Sequence, residues 1–255
     1  MEIIFLGTGS STGTPVIGCN CPTCLSSDPR NKRTRCSVAI KTDAGKVLLI
    51  DTGPDLRLQA LREDILRVDG VLYTHTHADH LNGIDDLRNF CFLQKHPIPV
   101  FGNEITINDI RQRFTYAFAP PGEYWDKPVL TSQVVQLPFI LEEVQVTPIP
   151  VMHGKLPILG YRIGDVAYIT DVSDIPDSSM ALLDGLEVLM LDCLHFRPHH
   201  THIHFDKSVE YARQIQAKQT FFIHMTHQVE YGEASRLLPE NMHFAFDGHR
   251  VNVNQ

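Results

Sequence analysis

A chain of 255 residues, 43% hydrophobic and 20% charged, is long enough to bury a substantial core as one large domain. Its formal net charge of -8 argues against a broad nucleic-acid surface, but not against a small anionic substrate, because bound divalent metals reverse the local field. No apolar run is long enough to span a membrane, and Met1–Leu6 is too short and too soon acidic for a signal peptide. The sequence therefore predicts a cytoplasmic protein without a membrane partner.

The chain begins with a predicted strand, Glu2–Leu6, that opens into a glycine-rich segment, Gly7–Pro15. A phosphate cradle is one interpretation, but no lysine occupies the Walker position and no helix obviously follows. A tight turn with close backbone approach is the interpretation that the pattern favours.

Three cysteines follow within six residues, Cys19, Cys21 and Cys24. In a cytoplasmic protein such thiols are metal ligands or free thiols rather than disulfides, and this spacing is typical of half a structural zinc site. A closed tetrahedral site needs a fourth ligand, for which Cys36 and a distant histidine are both candidates. Three unligated thiols are the alternative, but an exposed trio would be prone to oxidation. The sequence thus favours a zinc-binding insertion at about residues 18–36.

A β-hairpin is predicted from Cys36–Lys41 and Lys46–Asp51, with the turn at residues 43–45. Apolar residues then recur at three-to-four spacing, which predicts a helix over Pro54–Arg67. A buried strand, Val71–Thr74, follows this helix.

The densest group of candidate ligands lies where that strand ends: His75, His77, Asp79 and His80. Two histidines two residues apart in extended chain point the same way and can bind one metal. Asp79 and His80 could serve a second metal if the chain curls there. Imidazole and carboxylate ligands suit a borderline cation such as zinc or manganese. A surface histidine cluster without metal is the alternative, but such dense ligands against a strand end have little other physical purpose.

The middle of the chain is predicted to contain helices at Asp85–Gln94 and Glu104–Phe114, on either side of a short strand, Ile98–Gly102. Aromatic residues and prolines then fill an irregular stretch, Thr115–Pro128. A lid, a dimer contact and ordinary core packing all remain open for this stretch.

The second half returns to strand-like runs, and several end at a candidate ligand. The predicted strands are Val134–Leu137, Val144–Val151, Leu159–Ile163, Val166–Asp171, Glu187–Cys193, Thr220–Ile223 and a last one near Phe244–Phe246. His153, Asp171 and His224 each stand at or just beyond a strand end. A lone carboxylate there is often only a helix cap, but the company of His153 favours a metal role for Asp171. A histidine-rich loop, His195–His204, precedes an amphipathic helix, Phe205–Ala217.

The motif His75–His80 matches the H-x-H-x-D-H signature of the metallo-β-lactamase superfamily, and His153, Asp171 and His224 follow in the superfamily's order. This resemblance covers nearly the whole chain. It implies an α/β fold, a four-layer αββα sandwich with the metals at one edge, formed by a single domain over residues 1–255.

The resemblance also implies which residues bind metal. The first metal would be held by His75, His77, His153 and Asp171, and the second by Asp79, His80, Asp171 and His224. Asp171 would bridge the two metals, and Asp79 would be a catalytic residue as well as a ligand. Asp51 would support the metal loop without binding metal, and the G-T-G-S segment would lie beside the site.

Within the superfamily the chain most resembles the phosphoribosyl cyclic phosphodiesterases of the carbon–phosphorus lyase pathway, which share the three-cysteine insertion. By resemblance, Cys19, Cys21, Cys24 and His227 would form a structural zinc site. His202 would contact the substrate phosphate or protonate the leaving oxygen, although His200 and His204 are neighbours that could be confused with it.

The expected function is hydrolysis of a small, perhaps cyclic, phosphodiester by two divalent metals, Zn²⁺ or Mn²⁺, with one further structural Zn²⁺. The expected partner is the small substrate, with nucleic acid disfavoured and a homodimer open. A thioesterase or lactonase on the same centre is an alternative, and a non-catalytic zinc-stabilised binding protein is another. A tRNA 3′-processing endonuclease is less favoured, because no insertion resembles the arm with which those enzymes grip tRNA.

Overall fold

A computed structural model describes residues 1–253 as two seven-stranded β-sheets packed face to face. The strands are β1 (Glu2–Gly7), β2 (Ser37–Lys41), β3 (Val47–Ile50), β4 (Gly70–Leu72), β5 (Ile98–Gly102), β6 (Leu130–Val134), β7 (Phe139–Leu141), β8 (Val144–His153), β9 (Leu156–Ile163), β10 (Val166–Ile169), β11 (Val188–Asp192), β12 (Gln219–Ile223), β13 (Met242–Phe244) and β14 (Arg250–Asn252). The first sheet has the order β14-β1-β2-β3-β4-β5-β6 and the second the order β13-β12-β11-β10-β9-β8-β7.

The described residues form eight α-helices, most of which pack against the outer faces of the two sheets. They are α1 (Pro22–Leu25), α2 (Leu56–Arg62), α3 (Ala78–Leu81), α4 (Leu87–Gln94), α5 (Glu104–Arg113), α6 (Asp177–Met180), α7 (Phe205–Ile215) and α8 (Tyr231–Ser235), with short 3₁₀ turns at Pro29–Asn31, Ile84–Asp86, Thr115–Phe118 and Ala181–Leu183. None of them, within residues 1–253, is long and apolar enough to cross a membrane.

Three buried clusters correspond to the three interfaces of a four-layer sandwich. Phe5 and Met190 belong to the cluster between the two sheets. Val71 and Phe90 belong to the cluster under the helices of the first sheet, and Leu191 and Tyr211 to the one under the helices of the second. The four-layer αββα architecture expected from the sequence is confirmed.

Strand direction brings the site together. Strands β3 to β6 run parallel to one another in the first sheet, and β10 to β13 do so in the second. The carboxyl ends of parallel strands meet at one edge of a sheet, which is where α/β proteins place their functional residues. Side chains that directly follow β4, β10, β11 and β12 are therefore neighbours in space.

Several elements differ from the sequence-based expectation, among them β7, β13 and β14, and two of the differences have a clear physical reason. The helix predicted over Pro54–Arg67 ends at Arg62, because Asp64 adopts a left-handed conformation with φ 53° and Ile65 N–H bonds back to the carbonyl of Ala60. The strand predicted over Val134–Leu137 was wrong, because β6 ends at Val134, where the predicted strand begins. Pairing with β5 fixes the position of β6. Tertiary pairing outweighs local propensity in short strands.

Candidate metal centre

Four strand ends deliver the predicted metal ligands to one place. The segment His75–His80 follows β4, and His153 is the last residue of β8. Asp171 lies two residues beyond β10, and His224 directly follows β12. Every ligand expected at the dinuclear centre reaches the common edge of the two sheets.

The first group consists of His75, His77, His153 and Asp171, each of which offers one ligand atom within 4.8 Å of the others. The three imidazole rings lie 4.6–5.5 Å apart between centroids. His77 is exposed and the other three side chains are buried. One face of this group is therefore open to solvent.

The second group consists of Asp79, His80, Asp171 and His224, again with ligand atoms within 4.8 Å of one another. Asp171 Oδ1 lies 3.1 Å from His80 Nε2 and 3.3 Å from His224 Nε2, while its Oδ2 lies 3.8 Å from His75 Nε2 in the first group. The Asp171 carboxylate thus faces both groups, one oxygen to each.

Four buried nitrogens in these groups have no hydrogen-bond partner: Nε2 of His75, of His80 and of His224, and Nδ1 of His224. Leaving a buried polar atom unpaired costs free energy, so native proteins rarely leave several together. Nitrogen and carboxylate donors converging in this way suit divalent metals of the zinc type. The residues present therefore fit the metals that the site would hold.

In His80 and His153 the Nδ1 atom is fixed by a hydrogen bond, which leaves Nε2 available to the cluster. Asp51 is fully buried and accepts from His80 Nδ1 at 2.7 Å. It also accepts from the backbone N–H and the hydroxyl of Thr74, both at 2.8 Å. His153 Nδ1 donates to the carbonyl of Thr201 at 2.8 Å. Such outer partners set the orientation of metal-binding histidines.

The backbone is left-handed at three of the residues that build this site. The φ angles are 61° at Asp51, 54° at Asp171 and 61° at His224, each just beyond a strand. Non-glycine residues rarely adopt this conformation, and it concentrates at functional sites where surrounding structure enforces it. Each turn aims its side chain across the sheet edge into the cluster.

Glycines allow the segment that follows His75 to lie directly against Thr52 and Gly53. Thr52 donates its N–H to the carbonyl of His80, and Gly83 donates to the carbonyl of Thr52, both at 2.8 Å. A Cβ atom on Gly53 would stand 2.2 Å from the carbonyl oxygen of Asp79. No side chain fits between these two segments.

The glycine-rich segment after β1 supports the His224 loop through close backbone contacts. Met225 N–H donates to the carbonyl of Thr8 at 3.0 Å, and Ser10 N–H donates to the carbonyl of Met225 at 3.1 Å. A Cβ on Gly7 would lie 2.0 Å from the carbonyl of Arg35. The tight turn with close backbone approach is what the structure contains.

His202 is the member of the histidine-rich loop that reaches the cluster. Its ring stacks on His224 with centroids 4.9 Å apart and 12° between planes, and its Nε2 lies 3.9 Å from Asp171 Oδ2. By contrast His200 is exposed and its ring lies tilted against that of His199, and His204 is the residue before α7.

Sequence reasoning missed Asp192, the last residue of β11. This fully buried carboxylate lies 3.0 Å from His202 Nδ1 and accepts the backbone N–H of Val172 at 3.0 Å. Burial disfavours the charged imidazole, but the Asp192 charge and hydrogen bond outweigh it and raise the pKa of His202 to about 9. No sequence pattern indicated this contact, because it depends on strand order: β11 lies between β10 and β12 and ends at the same edge.

A second cluster lies outside the dinuclear site. His227 Nδ1 lies 3.3, 3.4 and 3.5 Å from the sulfurs of Cys19, Cys21 and Cys24. Cys36, the other candidate for a fourth ligand, is buried between the sheets. We call this Cys19–Cys24 segment with His227 the knuckle. Hydrogen bonding by Cys24 N–H, opposed by burial, lowers the pKa of Cys21 to about 6, which suits a metal-binding thiolate.

The aromatic stretch beyond α5 packs partly into the core of the first sheet, where Phe118 and Trp125 lie against the buried cluster. Tyr116 donates its hydroxyl to Asp85 at 2.8 Å, and Lys127 donates to the carbonyls of Tyr116 and Ala119. Core packing, one of the three interpretations left open, accounts for these two aromatic rings.

Comparison with known proteins agrees with this geometry. Residues 46–225 match the family described as the beta-lactamase superfamily domain. A solved structure described as a new diphosphatase from the PhnP family is 41% identical and superposes with a TM-score of 0.91, covering 98% of this chain and 96% of that one. Zn²⁺-bound PqqB from Methylobacterium extorquens is 18% identical, with a TM-score of 0.80 over 99% of this chain and 100% of that one, and shares the fold.

A sequence relative from Porphyromonas gingivalis, named octanoyltransferase, is 38% identical over 259 aligned positions. The match covers 100% of this chain but 52% of that protein. The chain therefore spans about half the length of this relative.

Proposed function

Because the chain belongs to the metallo-β-lactamase superfamily, as a metal-dependent hydrolase related to the PhnP family, we propose that it is a phosphodiesterase. Its proposed substrates are small phosphodiesters, cyclic ribose phosphates among them, and not nucleic acid. The observation that carries the proposal is the shared Asp171 carboxylate, which faces two ligand groups beside the His202–Asp192 pair.

His75, His77, His153 and Asp171 would hold one divalent metal, and Asp79, His80, Asp171 and His224 the other. When bound, two such metals, Zn²⁺ or Mn²⁺, lower the pKa of a water and offset charge on phosphate oxygens. Centres of this kind place their metals about 3.5–4 Å apart. The two oxygens of Asp171 face opposite groups, so this residue would contribute a ligand to both metals.

The remaining chemistry belongs to the side chains. His202 is fixed at Nδ1 by Asp192, so its Nε2 is free to give a proton to the leaving oxygen. Asp79 is partly exposed at the edge of the second group, with Oδ2 3.2 Å from His80 Nε2, and would have a catalytic role there as well as binding metal. The deeper ligands exclude bulk water from the opposite side, because His80, Asp171 and His224 are buried.

The knuckle would hold a third metal, a structural Zn²⁺, in a closed Cys₃His site. Three sulfurs and one imidazole nitrogen already face one point, so little rearrangement is needed. Thiols at this position keep their metal in a reducing compartment, which agrees with the expected cytoplasmic location.

Metal analysis together with a substrate panel tests the proposal. We expect up to three metals per chain and turnover of both a cyclic ribose phosphate and a linear bis-nitrophenyl phosphate. A nitrophenyl phosphomonoester is the matched negative control, since it reports a phosphatase rather than a diesterase. One metal per chain with no diester turnover would leave a zinc-stabilised binding protein as the explanation.

An acyl-thioester hydrolase on the same centre is the second candidate, and the name of the P. gingivalis relative is the observation that favours it. About half of that protein lies outside the match, so its named activity can reside there. An octanoyl thioester and a substituted diphosphate therefore belong in the panel. A higher kcat/KM for the thioester than for every phosphate substrate would overturn the phosphodiesterase proposal.

A further inference from the structure

Arg33 is a large cationic side chain that the fold buries almost completely, with 2% of its surface exposed. Its guanidinium donates to the carbonyl of Thr226 at 3.2 Å, to the carbonyl of Val229 at 2.8 Å and to Asn31 Oδ1 at 3.1 Å. All three acceptors are uncharged, and Nε has no partner. A buried charge without an ion pair is costly, so its presence calls for a physical reason.

The acidic groups near Arg33 act only through space. Burial lowers the pKa of the guanidinium to about 10, and the charges of Asp247, Glu230 and Asp28 only partly offset that effect. Glu230 is engaged elsewhere, because it accepts a hydrogen bond from Asn31 Nδ2 and caps α8. None of these carboxylates is a hydrogen-bonded partner for Arg33.

The groups that Arg33 does touch belong to the surroundings of the knuckle. Its Thr226 acceptor is the carbonyl of the peptide that joins Thr226 to His227, the knuckle histidine. On the other side, the Arg33 backbone exchanges hydrogen bonds of 2.7 and 2.8 Å with Thr14, just before the cysteine segment. Arg33 therefore connects the two separate parts of the chain that form the knuckle.

The net charge of a zinc-loaded knuckle offers a physical reason for burying a cation here. Three thiolates and one neutral imidazole around a divalent zinc leave one net negative charge, held in a partly buried place. A guanidinium is the cation best suited to a buried site of this kind, because it stays protonated and donates in a planar fork.

We propose that Arg33 is a positioning residue that balances the net negative charge of the zinc-loaded knuckle while holding the 226–229 loop that carries His227. The inference rests on the proposed knuckle zinc and is independent of the substrate. Metal analysis of the unmodified chain tests that zinc separately, so the two failures can be told apart.

The test uses the full chain loaded with Co²⁺, whose thiolate-to-metal charge-transfer absorption reports the knuckle alone, because no thiolate belongs to the dinuclear groups. The rate at which a chelator abolishes this absorption is measured for the wild type and Arg33→Met. The same pair is measured with Cys19→His, which turns the knuckle into a neutral Cys₂His₂ site. Arg162→Met is the matched control, since Arg162, like Arg33, makes three hydrogen bonds to uncharged oxygens but lies on β9.

We expect Arg33→Met to speed metal loss by on the order of tenfold in the Cys₃His protein and by less than about threefold in the Cys19→His protein. Arg162→Met should leave the rate unchanged. An equal acceleration in both backgrounds would mean that Arg33 is only a packing residue, and no acceleration would remove its role altogether; either result overturns the proposal.

Arg33→Lys keeps the inference testable if Arg33→Met does not fold. Lysine retains the charge, so we expect metal loss within about threefold of the wild-type rate. A tenfold acceleration in Arg33→Lys would show that charge is not what matters and would overturn the proposal.

Discussion

Replacing His202 by alanine should slow hydrolysis in a way that depends on the leaving group. The ring is held by Asp192 at Nδ1 and by stacking on His224, so only Nε2 is left to face a substrate. An alkoxide leaving from a cyclic ribose phosphate needs a proton. A nitrophenolate is stable as the anion and needs none.

The magnitude follows from the worth of a positioned general acid, about 10²–10⁴ in rate, or roughly 3–5 kcal/mol at about 1.4 kcal/mol per tenfold. We expect kcat for the cyclic ribose phosphate to fall by that factor. For bis-nitrophenyl phosphate it should fall by less than about tenfold. Metal content should be unchanged, because His202 belongs to neither ligand group of the dinuclear site.

The assay is steady-state kcat for both substrates in metal-replete protein, with elemental analysis of the same samples. His200→Ala is the control, since His200 is exposed two residues away. Equal slowing of both substrates by His202→Ala would refute the general-acid argument, and so would an equal loss in His200→Ala.

Three further perturbations test other parts of the site. Asp171→Asn keeps the shape but removes the charge that both ligand groups share, so bound metal should fall to about one per chain and diester turnover by more than about 100-fold; near wild-type turnover in metal-replete protein would contradict this. Gly53→Ala places a Cβ 2.2 Å from the Asp79 carbonyl oxygen and should lower the free energy of unfolding of the metal-free chain by about 1–3 kcal/mol in thermal denaturation. Gly122→Ala, with no contact shorter than 3.7 Å, should leave that free energy unchanged. Asp192→Asn should lower kcat by about 10–100-fold but add nothing in the His202→Ala background, which a double-mutant cycle measures.

Local patterns carried most of the fold and the candidate site. The H-x-H-x-D-H segment is contiguous. His153, Asp171 and His224 each lie at or near a strand end, so the strand-like runs before them locate them in the sequence. The sequence does not indicate a contact that depends on the order of strands in a sheet. Asp192 becomes a neighbour of His202 only because β11 lies between β10 and β12.

The same limit explains Arg33. In the sequence it lies in a polar, basic run that is typical of a solvated loop, yet the fold closes the 226–229 loop over it. Its contacts join residues almost two hundred positions apart. No short-range pattern reports such a contact, since burial here is a property of the assembled chain.

The left-handed backbone at Asp51, Asp171 and His224 implies that the chain loses conformational stability in order to place its active-site side chains. Each such residue costs on the order of 1–3 kcal/mol that glycine would largely recover. A glycine at Asp171 or His224 should therefore give a metal-free chain that survives heat better than the native one while hydrolysing nothing. Selection for stability alone would favour glycine at these positions. Retention of Asp171 and His224 would therefore reflect selection for activity.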